Sequence, residues 1–454
     1  MPAKFHVAIC GGGIGGLAAA VALSRFPDIE VSVFEAAKEF TEVGAGIGVW
    51  PRVWKLLAYL GLDDDLASIS ATKPTQDEVD TFIFRKADQP EGLDFYKLRS
   101  RGTLLRYHRP DVLQVLIDNL PAHCKTYFNR RLQTYTQDRA KGTVQLVFSD
   151  GSTETCNVLI GSDGIKSSVR RTMLTNKSEE AASKGKLEDA ERFMQLIEPT
   201  WTGIVAYRAL IPTQRLQDYK DAHPEMNIRI PQTNSTPIMY MGQHINVVVY
   251  PISSGKLINI GAFHAKPELA GTNFPGPWVE TIPNDELLAA HDGWEPELQA
   301  ILRCAYTPSR WAVHMAQPLE SWVDGNVALL GDSAHAMSPQ QASGAGQAIE
   351  DAYLLATLLG HRLTRIENIN QVLNIYSDVR VPVATEVQHR SLVNGSYFGL
   401  QLEGLDSTRE HDRLHEIGDA VVENWNWAWA TTLDPSISEA VKRLEASQRP
   451  RAHL

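Results

Sequence analysis

The chain has 454 residues with 8% aromatics, enough to bury at least one sizeable core and to divide into two or three units. Its 54 acidic against 43 basic residues leave a formal charge of −11, which disfavours nucleic acid and anionic membranes as partners. Four cysteines, Cys10, Cys124, Cys156 and Cys304, form no C-x-x-C pair and no metal-ligand spacing with histidine, a pattern of free thiols in a reducing compartment.

In chain order, the apolar run Phe5–Ile9 predicts a buried strand, and Gly11, Gly13 and Gly16 follow it at G-x-G-x-x-G spacing. An apolar segment continues to Phe26 as a helix. Glycine fits this place because a tight turn must bring bare backbone amides against a pyrophosphate at a helix N-terminus. A second apolar strand, Ile29–Phe34, ends in Glu35, where a ribose-binding carboxylate belongs. The glycine-dense start, with Arg25 and Pro27 at the end, argues against a membrane span, which needs about 20 apolar residues. The same motif consumes the N-terminal apolar run, so no signal peptide is expected and the location is cytoplasmic. Ala452-His453-Leu454 loosely matches a peroxisomal address, which makes the peroxisome the alternative.

Within Leu104–Leu120, Val112, Leu113, Leu116 and Ile117 have helical spacing, and Pro110 suits a first turn. Thr143–Phe148 alternates as a strand into the Asp150-Gly151 turn, and the strand Val158–Ile160 runs into Gly161-Ser162-Asp163-Gly164. Thr175–Arg192 is charged and poor in large apolar residues, and reads as a solvated excursion or domain junction. The pattern then turns strand-rich at Ile204–Ile211, Pro237–Met241, Ile245–Tyr250 and Leu257–Phe263. The strand Val327–Leu330 precedes Gly331-Asp332-Ser333, and Gly344–Leu359 returns to helix. A helical tail carries Trp425, Trp427 and Trp429, read as packing residues.

Six stretches carry a family resemblance: GGGIGG at 11–16, EVGAGIGVWP at 42–51, HRPDVL at 108–113, VLIGSDGIKSSVR at 158–170, AYRALIP at 206–212 and LLGDSAHAMSPQQASGAGQAIEDA at 329–352. Together they resemble the group A FAD-dependent aromatic hydroxylases of the p-hydroxybenzoate hydroxylase fold, most closely the salicylate hydroxylase branch. The resemblance implies an α/β fold, in which a Rossmann-like FAD-binding domain split in sequence holds an inserted β-sheet substrate domain and is followed by a helical C-terminal tail. The corresponding boundaries are 1–180 and 311–370 for the FAD-binding parts, 190–310 for the substrate domain and 371–454 for the tail.

Carried onto this chain, the resemblance implies that Gly11, Gly13, Gly16 and Glu35 hold the ADP half of FAD, with Ala45 and Gly46 also at the cofactor. Arg109 touches the flavin side, Asp163 and Gly164 support the pyrophosphate and the passing nicotinamide, and Asp332 binds the ribityl chain. Gly344, Ala345 and Gly346 open a helix whose free amides would stabilise negative charge on the reduced flavin, an effect of roughly 0.3–2 kcal/mol. Gln340 stands where histidine is frequent in the family, and glutamine cannot titrate, which puts a histidine proton relay there in doubt.

The implied chemistry is reduction of FAD by NADH or NADPH, oxygen addition to give a flavin hydroperoxide, and transfer of hydroxyl to an electron-rich ring. Salicylate would give catechol with loss of carbon dioxide. The alternatives are another phenol, such as a resorcylate, a hydroxybenzoate or a polyketide phenol, or a reductase that never transfers oxygen. The partners are then a small phenolic substrate and dioxygen, and the protein is a monomer or homodimer. Arg208 is the first choice for binding a substrate carboxylate or phenolate, with Tyr250 and His244 second.

Overall fold

The computed structural model describes residues 3–41, 46–70, 72–226, 228–232 and 235–448. Ala45 and the C-terminal tripeptide lie outside the described residues. The first apolar run forms the strand Phe5–Cys10 at the middle of a six-stranded sheet, flanked in parallel by Ile29–Phe34 and Val158–Gly161. Val7, Ile9, Val31, Val33 and Leu159 are fully buried, as expected for parallel strands covered on both faces.

On its other side Val158–Gly161 pairs in parallel with Val327–Leu329, so segments far apart in sequence complete one sheet. Register then decides what meets at its carboxyl edge: Cys10 lies opposite Gly161, and Gly161 opposite Leu329. The loops that follow, at Gly11, Ser162 and Gly331, therefore emerge side by side, where open α/β sheets place their ligands. The helices Ile14–Leu23 and Gly344–Gly360 pack together beside this edge, close enough that a Cβ on Gly15 would sit 3.0 Å from the Ala348 Cβ.

The strand-rich region forms a second, eight-stranded sheet around Thr200–Pro212, Leu257–Ala265, Ile245–Ile252 and Ile238–Gly242. Ile238–Gly242 also pairs in parallel with Glu78–Lys86, which forms a hairpin with Leu93–Arg101. Two strands from the 1–180 segment thus belong to the sheet assigned to 190–310, and Ser309–Met315 joins it across the 310 boundary. Such long-range pairings leave no local mark in sequence. One face of this sheet carries Tyr207, Ala209, Val247, Val249 and Ile260 against the helices Asn284–Ala289 and Pro296–Arg303, and the other faces the first sheet's loops.

The charged stretch after Thr175 is helical: Ser168–Ser183 and Leu187–Gln195 pack on each other. Ser167 caps the first helix by accepting the Arg170 N–H at 2.9 Å. The 30-residue helix Ile369–Phe398 and the helices His415–Trp425 and Asp434–Ser447 form the tail. Among the described residues no helix is long and apolar enough to cross a membrane.

Candidate active site

A cavity of about 740 Å³ opens between the carboxyl edge of the first sheet and the inner face of the second. That volume lies within the range of cofactor and small-molecule sites, roughly 300–1,000 Å³. One wall is backbone, formed by Gly13-Ile14-Gly15, Gly164-Ile165, Gly331 and Gly344-Ala345. The turn behind it has no room for side chains: Gly11 adopts φ +107°, and a Cβ there would lie 2.2 Å from the Ser162 carbonyl oxygen. At Gly16 a Cβ would lie 1.9 Å from the Gly11 oxygen. Glu35 locks this turn by accepting the Gly12 and Ala37 N–H groups, each at 2.7 Å.

Asp332 borders the cavity with an exposed carboxylate that makes no side-chain hydrogen bond among the described residues. Gly346 is not on the cavity wall; a Cβ there would meet Val53 Cγ2 at 2.8 Å, so its smallness serves packing. Asp163 also turns away from the cavity. Its carboxylate accepts the Ser168 N–H at 2.7 Å, the Val169 N–H at 3.2 Å and the Ser167 hydroxyl, capping the helix that follows. Burial pushes this carboxyl up, and those donors partly offset the shift. Its neighbour Gly164 remains on the wall.

A buried charge network holds the Gly331 loop. Gly331 donates its N–H to Asp351 at 3.0 Å, and His335 Nε2 meets the same carboxylate oxygen at 2.6 Å. Arg380 binds the other Asp351 oxygen at 2.7 Å, Glu350 at 2.8 Å and Gln347 Oε1 at 2.7 Å, and Arg52 closes on Glu350 at 2.6 Å. Arg170 holds the loop from the other side by donating to the Ser333 and Ala334 carbonyls at 3.2 Å.

The opposite wall follows from strand alternation. Ala206 and Arg208, and Asn246, Val248 and Tyr250, point into the cavity from two strands separated by Leu257–Ala265. Between Arg208 and Val248 the register places Gly261, where a Cβ would meet the Phe263 ring at 3.3 Å and Val248 Cγ1 at 3.4 Å, so its smallness lets those side chains close over the strand. The Arg208 guanidinium lies 4.9 Å from the centroid of the Trp311 ring. Burial lowers the Arg208 pKa, Arg109 adds to this, and Tyr250 opposes it. Burial raises the Tyr250 pKa, with Arg106 and Arg208 pulling it down, so its hydroxyl is a protonated donor at neutral pH.

His244 does not join them. Its even number would put it on the same strand face, but it sits in the turn at φ +59°, its N–H bound to the Gly399 carbonyl at 2.9 Å and its own carbonyl to the Ala265 N–H at 2.8 Å. The left-handed turn takes it off the strand, and it is not on the cavity wall.

Three groups not singled out by sequence complete the site. Arg106 borders the cavity from the strand Leu105–His108, whose alternation buries Leu105 and Tyr107 on the other face; this was the available signal. Trp278 stacks on His314 at 3.6 Å, with Lys166 4.1 Å from its ring. Gln341 ties the tryptophan tail to the loop before Gly344: its carbonyl accepts both the Trp50 and Trp425 indoles at 3.1 Å, and its side-chain oxygen accepts Trp427 at 3.1 Å. Trp425 is thus packing residue and cavity wall together. Gln340, also on the wall, accepts the Ser338 hydroxyl. Replacing Gln341 by alanine strands the Trp427 donor and takes one of two side-chain donors from the Arg390 and Asn424 carbonyls, which keep each other's side chains. An unfolding titration should show a loss of about 1–2 kcal/mol; an unchanged midpoint would remove this anchoring role.

An FAD-binding domain family model matches residues 4–202 and 304–391, the two stretches that build the first sheet and its loops. A salicylate hydroxylase of Pseudomonas putida is 32% identical over 97% of this chain and 94% of its own length. The chain belongs to the FAD-dependent aromatic monooxygenases. Among other members, 6-methylsalicylate 1-monooxygenase of Aspergillus terreus is 31% identical over 96% of this chain and 92% of its own. The structure of a salicylate hydroxylase substrate complex superimposes with a TM-score of 0.79 at 31% identity, covering 96% of this chain and 98% of that one. This monooxygenase therefore uses FAD, with NAD(P)H as the electron donor typical of the family. The glycine turn without room for a Cβ and the unpaired Asp332 carboxylate both fit that cofactor.

Proposed function

We propose that the substrate is an aromatic hydroxy acid, and that the reaction is decarboxylative hydroxylation of salicylate or a ring-substituted salicylate to the catechol. The observation that carries this reading is Arg208, a guanidinium on an otherwise largely apolar wall with no carboxylate ion-paired to it among the described residues. The names of the two relatives, a salicylate and a 6-methylsalicylate oxygenase, support the same class of acid.

Bound FAD supplies electron transfer from NAD(P)H and activation of dioxygen. The Gly11–Gly16 turn and Glu35 would hold its nucleotide half, Asp332 its ribityl hydroxyls, and the Gly344 helix N-terminus the electron-rich edge of the ring system. The chain's other work is to bind and orient the acid and to exclude water. Arg208 takes an anionic oxygen, Tyr250 donates a hydrogen bond beside it, and Phe82, Met239, Phe263, Phe398 and Trp425 enclose the ring. The reaction balances as salicylate, NAD(P)H, dioxygen and two protons giving catechol, carbon dioxide, NAD(P)+ and water.

Flavin reduction by NADH and by NADPH, followed against a panel of phenolic acids, tests the reading. Salicylate or a substituted salicylate should accelerate reduction and release carbon dioxide equimolar with the nucleotide oxidised. A hydroxylated product that keeps its carboxylate would replace the decarboxylative reading with simple hydroxylation.

A further inference from the structure

We propose that Arg106 is a second anion anchor in the substrate compartment, holding one anionic oxygen of an aromatic ring whose other anionic oxygen is held by Arg208. This rests on the hydroxy-acid reading and narrows it: the bound species carries two oxyanions, a carboxylate and a phenolate, on one ring. Arg106 lies in the strand Leu105–His108, opposite Gly48 of Gly46–Val49, and both residues border the cavity.

Its Nη1 is buried and makes no hydrogen bond, and the titratable groups that act on Arg106 and Arg208 are Tyr250 and, for Arg208, also Arg109, with no carboxylate among them. Desolvation pulls the Arg106 pKa down to about 10, with Tyr250 opposing, so the group is charged and uncompensated. Tyr250 interacts electrostatically with both guanidiniums, and all three residues border the one cavity. Other buried arginines are served by the protein: Arg380 has Asp351 and Glu350, and Arg170 has four carbonyls. Two charges left without carboxylates in one cavity lack their counter-ions until a ligand brings them. A benzoate would neutralise one, and a neutral phenol neither.

The test is equilibrium titration of the FAD-loaded protein, read from the flavin spectrum, with salicylate, benzoate and phenol. Wild type is compared with R106Q and R106K. R106Q should weaken salicylate roughly 30-fold or more, the loss expected when one partner of a buried charge pair is removed. It should change phenol binding little and leave FAD affinity unaltered. R106K should recover part of the salicylate affinity, because the point charge returns without the planar fork. The ligand-free R106Q melting temperature should be unchanged or higher, since the charge removed has no protein partner. A fall in that temperature with equal loss of all three ligands would make Arg106 structural. Loss of FAD in step with loss of salicylate would assign Arg106 to the cofactor. Wild-type protein that binds no hydroxybenzoate would overturn the hydroxy-acid reading itself, whereas normal salicylate binding by R106Q would overturn this assignment alone.

Discussion

Gly11→Ala should yield protein without FAD, destabilised on the order of 4 kcal/mol or more. Two effects add at this residue. The φ of +107° is unfavourable for any residue with a Cβ, and the new methyl would lie 2.2 Å from the Ser162 backbone oxygen. The Ser162 loop cannot retreat easily, because the Ser162 N–H is bound to the Cys10 carbonyl at 2.8 Å and the strands behind both loops are in register. Gly151→Ala is the control: it has φ +82° with nothing within 4 Å, so only the conformational term remains, about 1–2 kcal/mol. Flavin absorbance after gel filtration and the thermal midpoint read both variants. Stoichiometric FAD in Gly11→Ala with a midpoint near that of Gly151→Ala would show that the close approach of the two loops does not matter.

Arg380→Met should cost about 3–5 kcal/mol, the range for breaking a buried ion pair from one side. Arg380, Asp351 and Glu350 are all fully buried, and removing the guanidinium leaves Asp351 to His335 and Glu350 to Arg52. Because Asp351 also holds the Gly331 N–H, FAD retention should fall with stability. The sign of the pH dependence follows from the carboxyl. In wild type, burial alone would raise the Asp351 pKa, but His335 and Arg380 together hold it below the ordinary 3.8. That group's contribution is present above the unfolded pKa and lost as pH falls through the lower folded value. In Arg380→Met the balance tips toward burial, so the ionised carboxylate becomes a burden that protonation relieves. The stability gap between variant and wild type should therefore narrow as pH falls toward 4, and a gap independent of pH would place the damage in packing. The double variant Arg380→Met/Glu350→Gln should recover part of the loss, as expected for coupled neighbours.

How the two ends of the chain are joined explains why some of the site is legible in the sequence and some is not. The glycine turn, Glu35 and the strand before Ser162 are local patterns: short apolar runs, a fixed glycine spacing, an acid at a strand end. Arg208 and Tyr250 are readable as strand residues, but their sharing of a face depends on the register of both strands against Leu257–Ala265. His244 has the right parity and the wrong backbone, because a left-handed turn residue leaves the alternation that parity assumes. Asp163 sits in a recognisable motif, yet its carboxylate spends its hydrogen bonds on the helix it precedes. Arg106 shows in the sequence only as the alternate residue of a short strand, and Gln341 not at all; Gln341 matters because its partners come from distant segments, and Arg106 because of a cavity that exists only when both sheets are in place.

Sequence alone therefore determined the cofactor class, the order of the three glycine-containing loops that meet at one sheet edge and the strand-rich character of the region between them, because backbone turns and periodic burial are written in neighbouring residues. Tertiary structure decided which charges face the cavity unpaired, which are paired inside the fold, and that the hairpin from Glu78 to Arg101 completes the eight-stranded sheet. Those outcomes depend on strand register and on desolvation by distant segments, and neither is a property of any short stretch of chain.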